Sequence, residues 1–221
     1  VIWKQLLIFF FPILLGTFFQ QIYNTADTVV VGRFVGTEAL AAVGGSTSQI
    51  INLIVGFFTG LASGATVVIS QHYGAKQEDG VQKALHTAYA FSVVGGIIIS
   101  IMGILITRPL LKLMNTPDNI IDLSATYLCI YFAGLVFVFI YNVGAGILRA
   151  VGDSRRPLYF LILCCFINIV LDIILIVFLK MGVAGAAIAT TFSQGISAVM
   201  VTVTLCRTTD IFRLRVKKIR F

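Results

Sequence analysis

Residues 6–34 read LLIFFFPILLGTFFQQIYNTADTVVVGRF, a run with a single carboxylate, Asp27, and a single basic residue, Arg33. A transmembrane helix needs about 20 consecutive, mainly apolar residues to cross the hydrocarbon core of a bilayer. This run is longer than that, and it exceeds the apolar segment of a secretory signal peptide. It therefore predicts a membrane-spanning helix that carries an acidic residue at membrane depth.

The rest of the chain has the same character. Of its 221 residues, 58% are hydrophobic and 11% are charged, whereas a soluble domain has roughly 45–50% and 25%. This excess of apolar surface excludes a soluble or a disordered chain. We predict an all-α integral membrane fold, a six-helix transmembrane bundle over residues 1–206 followed by a basic tail or linker at 207–221. The predicted spans are about 6–34, 47–70, 87–106, 127–148, 157–179 and 182–205.

Basic residues lie mainly on one side of these spans. With the N-terminus in the cytoplasm, 12 of the 16 Lys and Arg residues fall in inside segments: Lys4, Lys76, Lys83, Arg149, Arg155, Arg156, Arg207, Arg213, Arg215, Lys217, Lys218 and Arg220. Because cytoplasmic loops are enriched in Lys and Arg, both termini are predicted to be cytoplasmic. The net charge of +7 thus reflects orientation, and no motif indicates nucleic-acid binding. The basic run 213–221 would lie on anionic lipid headgroups or form a solvated tail.

Two carboxylates lie well inside predicted spans, Asp27 in the first and Asp172 in the fifth. A charged side chain at the centre of a transmembrane helix costs at least roughly 2.5–3.5 kcal/mol, so each is expected to face a cavity, a partner or an ion. Asp27 follows Pro12 by 15 residues, and Asp172 follows Pro157 by 15 residues. Because both spans run in the same direction, the two carboxylates are expected at one depth.

Other side chains with oxygen atoms are expected near this level by their helical spacing or depth. They are Gln20, Tyr23 and Asn24 on the first span, Asn168 on the fifth, and Thr190 and Thr191 on the sixth. Carboxylate, amide and hydroxyl oxygens suit a hard cation such as Na⁺, and a buried carboxylate is also able to carry a proton. The residues alone do not choose between the two ions.

Five stretches, at 12–32, 64–75, 148–157, 168–172 and 182–190, resemble in order and spacing the first six-helix lobe of the multidrug and toxic compound extrusion (MATE) transporters. The match is to the prokaryotic branch with acidic residues in helices 1 and 5. It implies a multi-pass protein of a bacterial or archaeal plasma membrane. Its partners would be membrane lipids, a small organic, often cationic substrate, and a second six-helix lobe.

The resemblance also implies a function and a site. The function is antiport, in which inward movement of Na⁺ or H⁺ drives the export of drugs and toxic compounds by alternating access. Asp27, Asn168, Asp172 and Thr190 match the family's cation-coupling cluster. The substrate cavity is expected at Gln20, Tyr23 and Asn24. No cofactor or metal is expected beyond the coupling ion.

The predicted six spans are half of the family's twelve helices. The chain begins at Val1 rather than Met, and we expect it to be half of a longer protein whose second lobe belongs to the same polypeptide. In the alternative, two copies pair in parallel to imitate the two lobes.

Two other functions stay open at this stage. A lipid-linked sugar flippase of the same superfamily would tend to line its cavity with basic residues. An intramembrane aspartyl hydrolase would need both carboxylates within reach of one water molecule. An enzyme is not expected, because the sequence has no G-x-S-x-G, H-E-x-x-H or P-loop motif.

Overall fold

A computed structural model describes residues 2–208 and 210–214, apart from the side chains of residues 2, 5 and 6. Within these residues the regular structure consists of eight α-helices and one π-helical segment. They are α1 (Ile2–Phe34), α2 (Thr37–Gly44), α3 (Ser46–Gly74), α4 (Glu78–Leu113), α5 (Asp118–Ala133), α6 (Leu135–Ala150), α7 (Arg155–Asp172), the π segment (Ile173–Phe178) and α8 (Gly182–Arg207). The predicted all-α membrane fold is confirmed.

Five helical stretches are long and apolar enough to span a membrane: Leu7–Phe34, Thr37–Gly74, Glu78–Leu113, Arg155–Phe178 and Gly182–Arg207. The α5–α6 pair passes the same test as a sixth span, bent by 48°. The described residues therefore allow up to six crossings. Two details differ from the prediction: α2 occupies part of the segment expected as a loop, and the span expected at 127–148 is broken at Gly134.

Gly134 breaks the α5–α6 span where α8 passes it closely. A Cβ at this position would lie 2.2 Å from Cγ2 of Thr191 on α8. Its backbone angles, φ −92° and ψ −2°, are open to any residue, so it is the missing side chain that matters here. Small residues let membrane helices approach one another, and the bend lies at such an approach.

Helix α6 occupies the middle of the bundle, packed against α3, α4 and α8, while α1 packs along α7. Two further glycines of α6 permit these contacts. A Cβ on Gly144 would lie 2.8 Å from Val201 of α8, and one on Gly146 would lie 2.5 Å from Oγ1 of Thr66 of α3. The α1–α7 pairing is the one that positions the candidate site.

After α8, residues 210–214 fold back against the bundle. The backbone N–H of Leu214 donates to the carbonyl of Leu205 (2.9 Å), and the side-chain amide of Gln82 on α4 donates to the carbonyl of Ile211. Phe212 and Leu214 are buried in the apolar core. The start of the predicted tail is therefore packed, whereas residues 215–221 of the basic run lie outside the described residues.

Candidate functional site

Asp27 of α1 and Asp172 at the end of α7 lie together inside the bundle. Their side chains are 7% and 0% exposed, and they are within hydrogen-bonding distance once either one carries a proton. Nearer the opposite end of the same helix pair, Pro12 and Pro157 line one cavity. The equal separation of each carboxylate from its proline accounts for this meeting.

Neutral oxygen atoms surround the acidic pair. The side-chain amide of Asn168 on α7 donates to Oγ1 of Thr190 on α8 at 3.4 Å, and both residues are buried. Tyr127 of α5 is also buried and is close enough to interact electrostatically with both carboxylates. The pair thus lies where α1, α5, α7 and α8 meet.

Four oxygen atoms of this cluster have no hydrogen-bond partner within the described residues. They are Oδ1 of Asp27, both carboxylate oxygens of Asp172, and Oδ1 of Asn168. Buried polar atoms in proteins are normally paired, and an exception calls for an explanation such as a bound ion or water. The unpaired oxygens make this cluster a fit for a proton or a hard cation.

The charge balance of the cluster points the same way. The ion pairs found among the described side chains are Arg108–Asp122 and Arg156–Asp153, so neither buried carboxylate has a basic partner there. Two adjacent negative charges are costly in a medium of low dielectric constant. The pair therefore requires positive charge from outside the protein, either a proton or a metal cation.

A cavity of about 220 Å³ lies beside the cluster. Its polar lining includes Gln20, Tyr23, Asn142 and Gln194. Tyr23 is buried and lies within hydrogen-bonding distance of Gln20 and Gln194. Because Tyr23 precedes Asp27 by about one helical turn, it connects the cavity with the acidic pair.

Two residues singled out in the sequence lie elsewhere. Asn24 is exposed and is not part of the cavity lining, so the structure does not bring it together with Gln20 and Tyr23. Thr191 donates to the carbonyl of Ile130 on α5 at 3.4 Å, so it faces α5. Adjacent residues on a helix point about 100° apart, which is why Thr190 faces Asn168 and Thr191 does not.

The structure adds three residues that sequence reasoning missed. Tyr127 joins the acidic cluster, and its signal is its stacking partner Tyr131 four residues on, with ring centroids 6.4 Å apart. Gln194 lines the cavity and follows Thr190 by one turn on α8, a spacing that marks it. Arg149, which the sequence assigned to an inside loop, lies in the last turn of α6 and lines the cavity near Pro157.

A buried acidic pair beside a cavity, within a bundle of membrane-spanning helices, defines one lobe of a multi-pass membrane transporter. The MatE family model matches residues 12–174. The chain belongs to the MatE family of transporters.

Similar proteins fit this assignment. The probable multidrug resistance protein YoeA of Bacillus subtilis is 36% identical over 196 residues, which are 87% of this chain and 42% of that protein. A multidrug resistance MATE family transporter solved in the outward-facing conformation has a TM-score of 0.89 at 29% identity, covering 99% of this chain and 48% of the other. The chain spans about half the length of the relatives it matches.

One structural neighbour differs in its described role. A MOP superfamily transporter from Pyrococcus furiosus has a TM-score of 0.88 at 29% identity, over 99% of this chain and 48% of its own. Its binding pocket is described as having reverse polarity that suggests a different function. The polarity of the cavity is therefore the property to examine when function is assigned.

Proposed function

We propose that the chain is the N-terminal lobe of a cation-coupled antiporter that exports organic, often cationic compounds by alternating access. The observation that carries this proposal is the buried Asp27–Asp172 pair, with its unpaired oxygens, one turn from the cavity residue Tyr23. Na⁺ and H⁺ are both compatible with the oxygen atoms present. The proposed coupling residues are Asp27, Asn168, Asp172 and Thr190.

The exchange follows from charge. Without a cation, the two carboxylates give the neighbouring cavity a negative potential that favours a cationic substrate. A proton or Na⁺ at the pair cancels part of this charge and weakens the substrate's attraction. Each ligand therefore lowers the affinity of the other by the same factor, as linked binding requires.

The proposed working unit includes a second six-helix lobe. Parallel halves related by an axis along the membrane normal are one known arrangement in transporters. Large apolar side chains are exposed along α1, among them Phe10, Phe11 and Phe18. In the assembled transporter we expect this surface to contact membrane lipids or the second lobe.

The coupling proposal is tested by competition in solution. Ethidium, a fluorescent organic cation, is titrated into the detergent-purified complete transporter while its polarisation is followed. We expect either Na⁺ at constant ionic strength or a lower pH to weaken ethidium binding by about 5–150-fold, the usual range of such coupling. Saturating ethidium should weaken binding of that ion by the same factor. An ethidium affinity that neither ion changes would contradict the proposal.

The proposed orientation places both termini in the cytoplasm of a prokaryotic cell. Asp79→Cys and Asp118→Cys each replace an exposed acidic residue in the first turn of a helix, α4 or α5, so they form a matched pair. In a background without the four native cysteines, a membrane-impermeant thiol reagent on intact cells should label position 118 and leave position 79 unlabelled. Labelling of position 79 alone would reverse the orientation.

A lipid-linked sugar flippase is a second candidate because of Arg149. This basic side chain lines the cavity at the end near Pro157, where it is suited to a phosphate group. The flippase reading predicts that a lipid-linked sugar diphosphate displaces ethidium in the parent and fails to do so in Arg149→Gln. We favour the antiporter because the polar lining near Tyr23 is uncharged and adjoins two acids.

A further inference from the structure

A cleft between α7 and α8 lies away from the acidic pair, at the end of the bundle where α7 begins and α8 ends. Its volume is about 620 Å³. Its lining includes Arg156 and Tyr159 of α7, Val203, Thr204 and Arg207 of α8, and Asp210 beyond α8. Neither the coupling site nor the proposed cavity uses these residues.

The cleft has two guanidinium groups with free hydrogen-bond donors. Arg207 forms no ion pair with any described residue. Arg156 pairs through Nε with Asp153 at 3.1 Å, and because a guanidinium has five N–H donors, its remaining donors are still available. Asp210 is the one acidic residue that lines the cleft, and it is not within ion-pair distance of either arginine. The lining therefore favours an anion.

The sides of the cleft are apolar and face outwards. Tyr159 is 63% exposed and Val203 is 40% exposed. One to two turns further along α7, away from its basic end, Leu163 and Phe166 are exposed as well. A tyrosine with an apolar ring and a polar tip is typical of the level of lipid headgroups. The cleft thus has positive charge at the end of the bundle and hydrocarbon beside it.

We propose that this cleft binds one anionic phospholipid, with the phosphate between Arg156 and Arg207 and an acyl chain along Tyr159 and Val203. Arginine binds phosphate through paired N–H donors, and basic pockets between transmembrane helices are known to hold acidic headgroups. A free phosphate would use the two arginines alone, whereas the exposed apolar wall is explained by a lipid. In the proposed orientation the site faces the cytoplasmic leaflet.

The test is native mass spectrometry of the complete transporter, titrated in a neutral detergent with dioleoyl phosphatidylglycerol or dioleoyl phosphatidylcholine. The two lipids share their acyl chains and differ in headgroup charge. We expect one phosphatidylglycerol molecule to bind more tightly than phosphatidylcholine. Arg156→Gln and Arg207→Gln should each weaken it by about fivefold, the effect of removing one basic residue near an anionic lipid.

Two variants serve as controls. Lys180→Gln removes a basic residue beyond the other end of α7 and should leave phosphatidylglycerol binding unchanged. Arg207→Lys keeps the charge and should retain most of the affinity, which separates loss of charge from loss of fold. An unchanged preference in the Arg156→Gln/Arg207→Gln double variant would overturn the proposal. Displacement of the lipid by millimolar inorganic phosphate would overturn it too, since the site would then be one for free phosphate.

Discussion

Asp27→Asn and Asp172→Asn are each expected to reduce gradient-driven efflux to the rate of empty liposomes, a loss of about 100-fold, while the protein stays folded. Asn is nearly isosteric with Asp, so packing is kept. The change removes a buried charge that has no basic partner among the described residues. The measurement is uptake or efflux of ethidium by proteoliposomes that hold the complete transporter under an imposed Na⁺ or H⁺ gradient.

Asp122→Asn is the matched control for these variants. Asp122 is highly exposed and pairs with Arg108 at 2.8 Å, so its replacement should leave transport near the parent rate. Asn168→Ala and Thr190→Ala remove neutral oxygens from the cluster and should weaken coupling more mildly. Parent-like transport by both Asp27→Asn and Asp172→Asn would show that the two acids only hold the helices together.

Gly134→Ala is expected to destabilise the protein by about 1–3 kcal/mol, the usual cost of overpacking a tight contact. The new Cβ would lie 2.2 Å from Cγ2 and 3.0 Å from Cβ of Thr191, so either the α5–α6 bend or α8 has to move. The measurement is thermal unfolding of the purified protein in detergent. Since Thr191 directly follows Thr190, we also expect a loss of coupled transport.

Gly95→Ala is the control for this prediction. It also lies within a long helix, but the atom nearest to its added Cβ is 3.6 Å away, an ordinary contact. Stability should be unchanged or slightly higher, because Ala is the better helix former. Thr191→Ser removes the Cγ2 atom and should recover part of the stability lost in Gly134→Ala. Equal stability of Gly95→Ala and Gly134→Ala would show that the contact has no energetic importance.

The sequence predicted the helical membrane fold because apolar runs of sufficient length have few other uses. It also placed Asp27 and Asp172 at one level, since two parallel helices with equal proline spacings need no further information. Helical spacing alone, however, does not say which neighbour a side chain meets. That is why Asn24 and Thr191 were grouped with residues that the structure separates from them, and why Tyr127 on another helix was missed.

The break at Gly134 was beyond sequence reasoning for a related reason. A glycine in an apolar run is compatible with a straight helix, a bend or a packing contact. Its role depends on Thr191, which lies far away in the chain. The α2 helix was missed because its eight residues are too few to cross a bilayer and no span was expected there.

The π-helical turn at Ile173–Phe178 begins directly after Asp172. A π turn holds one residue more than the α-helical turn it replaces, and one residue corresponds to a rotation of about 100°. The direction of Asp172 is thus set independently of the direction of the residues beyond it. During divergence, a one-residue deletion in this turn is able to rotate the outer end of the helix against its neighbours while the acid keeps its place. The outer mouth of such a transporter therefore has room to evolve without disturbing the proposed ion site.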